Sequence, residues 1–418
     1  VSGASPGGRP PLSPPSFADL WRDLEPLGRD PVTGGYRRYS WTAADAQCRA
    51  WFTSQAEKRG LTVQPDANGN LWAWWGPPQP GAVATGSHLD SVPDGGGFDG
   101  ALGVVTALAA VDLLKEENFY PERAIVLLTF TEEEGARFGL PCLGSRLLTG
   151  AVDPQAARDL TDDAGVTLAQ AMASAGLDPA LIGPDPALVD HLGVFVELHV
   201  EQGRALAPMG SAVGIAEGIW PHGRWRLDFT GQADHAGTAR LGDRRDPMLA
   251  YAGTVLAARH AAASRHALAT FGKVIAEPGA ANAVCSAVHA WLDARAPDEV
   301  TLSETVTDIR SAAKRLSVEH GVNLGVRQES YTPVVRFDEA LRDRIAGVLA
   351  AAGMPAPVLP TGAGHDAGVL AARLPTAMLF VRNPTGVSHS PAEHADLADC
   401  EAGVRALAHV LRDLAGPK

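Results

Sequence analysis

The sequence predicts an α/β fold in which a large domain of buried strands and helices carries a smaller α+β domain inserted within it. Three observations predict this. The stretches 82–85, 124–130 and 194–200 are mainly apolar runs of strand length, the pattern of strands buried on both faces, with helical stretches between them. From about Gly218 the pattern changes to strand–helix–strand–strand–helix, the content of a small α+β domain with one open sheet face, and at about Thr332 the first pattern returns. The chain has 418 residues, beyond the length at which one core usually divides. The expected boundaries are a flexible Pro-, Gly- and Ser-rich tail at 1–15, the large domain at 16–217 and 332–418, and the inserted domain at 218–331.

In chain order, 42–59 predicts a helix that Thr42 can cap, with Ala44, Cys48, Trp51 and Phe52 near one face. Residues 61–63 and 71–75 predict strands joined through Asp66-Ala67-Asn68-Gly69, and Trp72, Trp74 and Trp75 read as packing rather than as a binding box. The run at 82–85 feeds Gly86, where the strand is expected to end. Residues 100–116 predict an apolar helix containing Leu102, Val105, Leu108, Ala109 and Leu113. The strand at 124–130 runs into Thr131-Glu132-Glu133-Glu134-Gly135. Three adjacent carboxylates are ordinarily a solvated face or the start of a helix, but these follow a strand expected to lie beside the His88 strand. Residues 150–190 read as helical and polar, without recognisable chemistry. The strand at 194–200 has His199 near its end, and with Glu197, Glu201 and Gln202 nearby it is too polar for a plain core strand. In the inserted domain 225–230 alternates, 246–263 and 297–316 read as helices, and 273–276 and 288–295 as strands. The returning part reads as a helix at 337–352, a strand at 377–382 and a closing helix at 396–414.

Composition narrows the partners. Hydrophobic residues make up 45% and charged residues 20%, an ordinary globular balance, and the net charge of −13 without a Lys or Arg cluster argues against nucleic acid and anionic membrane surfaces. No apolar run approaches the length that spans a bilayer. Cys48, Cys142, Cys285 and Cys400 lie far apart with no metal-type spacing, which reads as reduced, buried thiols. With no h-region near the amino terminus, the expected location is cytoplasmic.

The chemistry gathers at strand ends. His88, in Gly86-Ser87-His88-Leu89-Asp90-Ser91-Val92, is followed by Asp99 in Phe98-Asp99-Gly100; Pro93, Gly95, Gly96 and Gly97 between them let the loop fold back. Glu134 and His199 follow further buried strands, and His389 lies in Gly386-Val387-Ser388-His389-Ser390-Pro391. Three imidazoles and two carboxylates without cysteine are an N/O ligand set suited to two divalent ions, Zn, Mn, Co or Ni. Asp99 can bridge them. Consecutive side chains in extended backbone point to opposite sides, so Glu134 can serve a metal while Glu133 serves as general base.

Taken together, the motifs GSHLDSV, FDG, TEEEGARF, ELHVEQG, DHAGT, RRDP, LDAR, GAGHDA and GVSHSPAE resemble the hydantoinase/carbamoylase branch of the dinuclear-metal aminopeptidase and deacylase superfamily. The resemblance runs from about Tyr36 to Leu414. It implies a three-layer α/β/α metallo-aminopeptidase-like catalytic domain with an inserted ferredoxin-like domain for dimerisation or closure, and hence a homodimer. It implies that His88 and His199 hold one ion and Glu134 and His389 the other, with Asp99 bridging and Glu133 as base. His235 resembles the residue that stabilises the oxyanion, and Asn282 and Arg295 those that grip a substrate carboxylate. Gln202, Arg224 and His365 match positions lining the substrate pocket. Arg244, Arg245 and Asp246 read instead as a structural network and a helix start. Two runs depart from the family pattern, Ala239-Arg240-Leu241 and Ala283-Val284-Cys285-Ser286, and both border the pocket.

The implied reaction is hydrolysis of the ureido C–N bond of an N-carbamoyl-L-amino acid to amino acid, carbon dioxide and ammonia. Ser91 and Val381-Arg382 resemble carbamoylases slightly more than the alternative, allantoate amidohydrolases. More distant alternatives are N-acyl or peptide cleavage and a non-catalytic metal-binding homologue; an unligated Glu133 beside the ligands argues against the last.

Overall fold

The computed structural model describes residues 16–418, so the expected tail at 1–15 lies outside the described residues. Two compact units divide the chain. One runs to Glu217 and resumes over Phe337–Leu359 and Gly364–Lys418; the other holds Gly218–Arg336 and Pro360–Ala363.

The first unit opens with α1 (Phe17–Leu24), capped reciprocally by Ser16 and Asp19. It continues with α2 (Ala43–Lys58), whose N-cap Thr42 accepts from the Asp45 amide. β1 (Thr62–Pro65) and β2 (Leu71–Trp75) pair antiparallel, and the buried Trp72 and Trp74 are packing. β3 (Ala82–His88) is buried throughout and continues past Gly86, so that His88 is its last residue. Gly86 is a point of close approach rather than a stop: a Cβ there would lie 2.0 Å from the Leu128 carbonyl oxygen. The apolar α3 (Ala101–Glu116) and β4 (Ile125–Phe130) follow. The polar stretch after them makes four short helices, α4 (Leu143–Thr149), α5 (Pro154–Arg158), α6 (Leu168–Ser174) and α7 (Pro186–Asp190). The first three share a small core that includes Phe138, Leu143, Leu147, Met172 and Ile182. Then come β5 (Leu192–Val200), α8 (Leu206–Met209) and β6 (Val213–Ile219).

The second unit contains β7 (His222–Thr230), β8 (Asp234–His235), α9 (Pro247–Ser264), β9 (Leu268–Glu277), β10 (Ala283–Val284), β11 (Ala287–Arg295), α10 (Glu299–Glu319), β12 (Asn323–Thr332) and β13 (Val335–Arg336). Its main sheet has the antiparallel order β12-β7-β11-β9. Trp225, Leu227, Phe229, Val288 and Leu292 point to one face, where they form a core with α9 and α10. The element order is therefore strand–helix–strand–strand–helix–strand, a ferredoxin-like arrangement. The strand that completes it, β12, is an edge strand with mostly exposed residues, so no apolar run announces it.

The chain returns through α11 (Glu339–Ala351), β14 (Val358–Thr361), α12 (Asp366–Leu370), β15 (Thr376–Val381) and α13 (Leu397–Ala415). The large sheet has the order β1-β2-β4-β3-β5-β15-β6, with β4, β3, β5 and β15 parallel. Val194, Val196, Leu198 and Val200 of β5 share one core with α3 and α13. The alternate residues must point to the other face, where the Glu197 carboxylate accepts from the Ala367 amide of α12. Helices thus cover both faces, giving three layers. Among the described residues no helix is long and apolar enough to cross a membrane.

Candidate metal centre

Because β3, β4, β5 and β15 are parallel, their carboxyl ends share one edge, where open α/β sheets place ligands. His88 ends β3 and Asp99 follows on its loop; Glu134 follows β4, His199 lies near the end of β5, and His389 is on the loop after β15. Asp99 Oδ1 lies 3.1 Å from His199 Nε2 and 3.6 Å from His88 Nε2. Its Oδ2 lies 3.2 Å from His389 Nε2, which is 3.6 Å from Glu134 Oε2. Two donor groups result, His88–Asp99–His199 and Asp99–Glu134–His389. Asp99 belongs to both, with one oxygen toward each.

These residues fit a pair of divalent cations. Bonds of about 2.1 Å at tetrahedral angles put donor atoms about 3.4 Å apart, and the observed separations straddle that value. The Nδ1 atoms of His88 and His199 lie 3.1 and 2.9 Å from the Asp90 and Val200 carbonyls. A carbonyl only accepts, so in each neutral ring Nδ1 carries the proton and the Nε2 lone pair turns toward Asp99. Glu134 Oε1 is buried without a hydrogen-bond partner. A third grouping, Glu197–His199–His365, is less apt, because the Glu197 oxygens already accept from the Ser87 hydroxyl and the Ala367 amide.

Without cations the cluster is electrostatically crowded. Burial, followed by the charges of Asp99 and Glu133, holds Glu134 well above the usual carboxylate range. Asp99 goes the other way: burial opposes its charge, but hydrogen bonds from three imidazoles hold it well below. For His199 burial also opposes protonation, and Asp99 outweighs it, pushing the ring up to about 9. His389 reaches about 9 mainly through its hydrogen bond to Asp99.

Glu133 belongs to neither donor group. It is buried, its Oε1 accepts from the Cys142 thiol at 3.2 Å, and its Oε2 lies 3.7 Å from His88 Nε2. Burial pushes its carboxyl up to about 8; the His88 ring draws it down while Asp366, Asp90 and Glu197 add to the rise. Gln202 Nε2 donates to Asp99 Oδ2 at 3.0 Å. The buried His365 ring packs edge-on against His199 with centroids 4.5 Å apart, and its Nε2 has no partner.

Two supporting residues escape the sequence reading. Asp90 accepts from the amides of Glu133 and Glu134 at 3.2 and 3.1 Å, holding both on one backbone; its signal was its place two residues after His88. Glu393 acts similarly on the Asp99 loop. Gly95, Gly96 and Gly97 are not left-handed; Gly96 is needed because a Cβ there would lie 2.3 Å from Glu393 Oε1, while Val92 and Tyr36 crowd its two neighbours at 3.0 and 3.1 Å. Gly100 does have a positive φ, and a Cβ there would meet the His88 ring at 2.4 Å.

The remaining predicted residues lie in the second unit. β8 pairs with β10, setting His235 opposite Ala283, and the Asn282 carbonyl accepts from Ala236. The exposed His235 accepts the Gly237 amide on Nδ1 at 3.0 Å, so its neutral ring carries the proton on Nε2, ready to donate. Arg295 holds Asp293 with a two-pronged contact at 2.8 and 3.2 Å and donates a third N–H to the Gly362 carbonyl. Arg224 approaches the same Asp293 at 3.4 Å. Two of the five guanidinium N–H groups of Arg295 remain for a ligand. Arg244 binds the Ala236 and Ala239 carbonyls, and Asp246 caps α9.

Residues 84–413 match the family described as Peptidase family M20/M25/M40. An N-carbamoyl-L-amino acid amidohydrolase of Geobacillus stearothermophilus is 35% identical over 402 residues, covering 95% of this chain and 98% of that protein. An allantoate amidohydrolase of Bacillus subtilis is 32% identical, covering 91% and 93%. The crystal structure of a hydantoinase/carbamoylase family amidase from Burkholderia ambifaria superposes with a TM-score of 0.82 at 31% identity, covering 97% and 99%.

Proposed function

The chain belongs to peptidase family M20/M25/M40, and on that premise we propose that it hydrolyses the ureido C–N bond of an N-carbamoyl-L-amino acid. The observation that carries this reading is the pairing of a shared aspartate with an unshared glutamate. Asp99 turns one oxygen to each donor group, and Glu133 lies buried beside them, outside both. His88 and His199 would hold one Zn, Mn, Co or Ni ion and Glu134 and His389 the other. When bound, such a pair supplies Lewis acidity at the scissile carbonyl and an acidified water. Glu133 removes the proton from the attacking water and returns it to the leaving nitrogen. Addition of one water releases the amino acid and carbamate, which breaks down to carbon dioxide and ammonia.

The second unit supplies recognition in this reading. The free Nε2–H of His235 donates to the carbonyl oxygen as it gains charge. Arg295, braced by Asp293, offers its remaining N–H groups to the substrate carboxylate; Asn282, which lies toward the opposite end of β11, is the second residue we assign to that carboxylate. We also assign Gln202 and His365 of the first unit, and Arg224 of the second, to substrate binding. We further propose a cytoplasmic homodimer joined through the second unit. Its support is the exposed Leu249 and Leu256 on α9 and Val274 and Ile275 on the edge strand β9. Allantoate is the second reading, since it also presents a ureido group and a carboxylate and a relative of that name is 32% identical.

The test is a panel of N-carbamoyl-L-methionine, N-carbamoyl-β-alanine, allantoate and N-acetyl amino acids, assayed with Mn, Co, Ni and Zn. Ammonia release from the first is expected. Turnover of the N-acetyl compounds alone would replace the ureido reading, and silence from a fully metallated protein would leave a metal-binding homologue.

A further inference from the structure

Glu393 lies four residues beyond His389 but turns toward the other ligand loop. Its Oε1 accepts from the amides of Phe98 and Asp99, each at 2.9 Å, and its Oε2 accepts the Ser388 hydroxyl at 3.0 Å. The side chain is buried and belongs to neither donor group. It is also tightly seated: a Cβ on Gly96 would lie 2.3 Å from its Oε1. One carboxylate therefore joins the backbone of Asp99 to the residue before His389.

That junction matters unequally for the two donor groups. His88 and His199 stand on buried strands, so the sheet fixes them. His389 stands on a loop, half exposed, with a left-handed φ of 54°. Nothing as rigid as a strand sets its distance from Asp99. We propose that Glu393 is a positioning residue, a tie between the Asp99 and His389 loops that sets the spacing of the Asp99–Glu134–His389 group. The inference rests on the reading of Asp99 as a ligand shared by two cations.

The chemistry of the tie predicts which replacements work. Two amides and a hydroxyl need two polar side-chain atoms but no charge. Gln can accept both amides on Oε1 and donate its NH2 to the Ser388 oxygen, whereas Ala leaves a buried and a part-buried amide without an acceptor. The experiment is equilibrium dialysis of the full chain against Mn2+, with turnover measured alongside. Wild type and Glu393→Gln should hold two ions. Glu393→Ala should keep one at wild-type affinity and bind the other about 10- to 100-fold more weakly, the usual cost of losing a residue that orients ligands. Its turnover should recover at raised Mn2+. The inference falls if Glu393→Ala keeps both affinities, if both ions weaken equally, or if Gln is no better than Ala. If wild type itself binds fewer than two ions, the shared-ligand reading falls and takes the inference with it. Should Glu393→Ala not fold, Ser388→Ala carries the test: it cuts only the tie to the His389 loop and should weaken the second ion alone, and unchanged affinities would refute the tie.

Discussion

Replacing Glu133 by Gln tests the proposed reaction at its least replaceable point. The substitution keeps size and shape, and Gln Oε1 can still accept from the Cys142 thiol. The amide group keeps the space near His88 but can no longer take a proton. General acid–base catalysis contributes about 10²- to 10⁴-fold, or about 2.7 to 5.4 kcal/mol of barrier at 1.36 kcal/mol per tenfold. Turnover should fall by that factor with little change in KM, since in the proposed mechanism Glu133 acts on water rather than gripping substrate. Stability should not suffer. The variant removes one carboxylate from a pocket where Asp366, Asp90 and Glu197 all oppose its charge, so thermal unfolding should occur at or slightly above the wild-type temperature. The assay is ammonia release from N-carbamoyl-L-methionine with Mn2+, with metal content measured on the same sample. Near-normal turnover by a fully metallated variant would remove Glu133 from the mechanism, and loss of a metal would make it a ligand instead.

Other outcomes follow from the same geometry. Arg295→Lys keeps a charge but loses the fork that holds Asp293, so kcat/KM should fall strongly for carboxylate substrates and little for the corresponding substrate amide; equal loss for both would make Arg295 structural. Gly103→Ala would place a Cβ 2.2 Å from the Leu198 carbonyl oxygen and 2.8 Å from Ser87, costing about 1–3 kcal/mol; a wild-type unfolding temperature would refute the close packing of α3. In the cation-free protein His199 and His389 are protonated at neutral pH, being held near 9. Mn2+ must displace those protons, so affinity should rise with pH up to about 9, and calorimetric heats should differ between buffers of unequal ionisation enthalpy; buffer-independent heats would contradict this. Finally, mixing inactive Glu133→Gln chains with inactive His235→Ala chains should restore activity if a dimer lends His235 across subunits, since one site per heterodimer then carries neither defect. Persistent inactivity after confirmed exchange would refute sharing.

The sequence made the site legible wherever function coincided with a fold boundary. His88, Glu134, His199 and Asp99 follow apolar runs that bury as parallel strands, so their convergence could be read from strand ends alone. What stayed hidden lacked an apolar signature. β6 is buried but carries Gly214 and Gly218, needed where Leu359, Leu206 and the Val335 carbonyl press against it, and glycines read as punctuation rather than strand. β12 is polar because it is an exposed edge. The helices between 143 and 174 are short and pack on a small core of their own, so no long amphipathic period marks them. Asp90, despite its place two residues after His88, and Glu393 were missed for another reason. Each works on backbone amides, and a carboxylate that binds a backbone looks, in sequence, like one that faces water.

The run Glu132-Glu133-Glu134 shows how backbone geometry gives three identical residues different work. Glu132 is fully buried with a left-handed φ of 55°, a conformation that a non-glycine residue adopts only when its surroundings enforce it. They do so here: its Oε1 accepts from the amides of Arg137 and Phe138 at 2.9 and 2.7 Å, closing the loop on itself. That turn breaks the extended path of β4 and lets the next two amides reach the Asp90 carboxylate. With their backbone anchored, Glu133 and Glu134 diverge, one toward His88 and the Cys142 thiol, the other toward His389. The solvated acidic face that such a run usually signals is excluded by burial. The proposed base beside a proposed ligand needs two neighbouring carboxylates aimed apart, and the strained first glutamate supplies the turn that aims them.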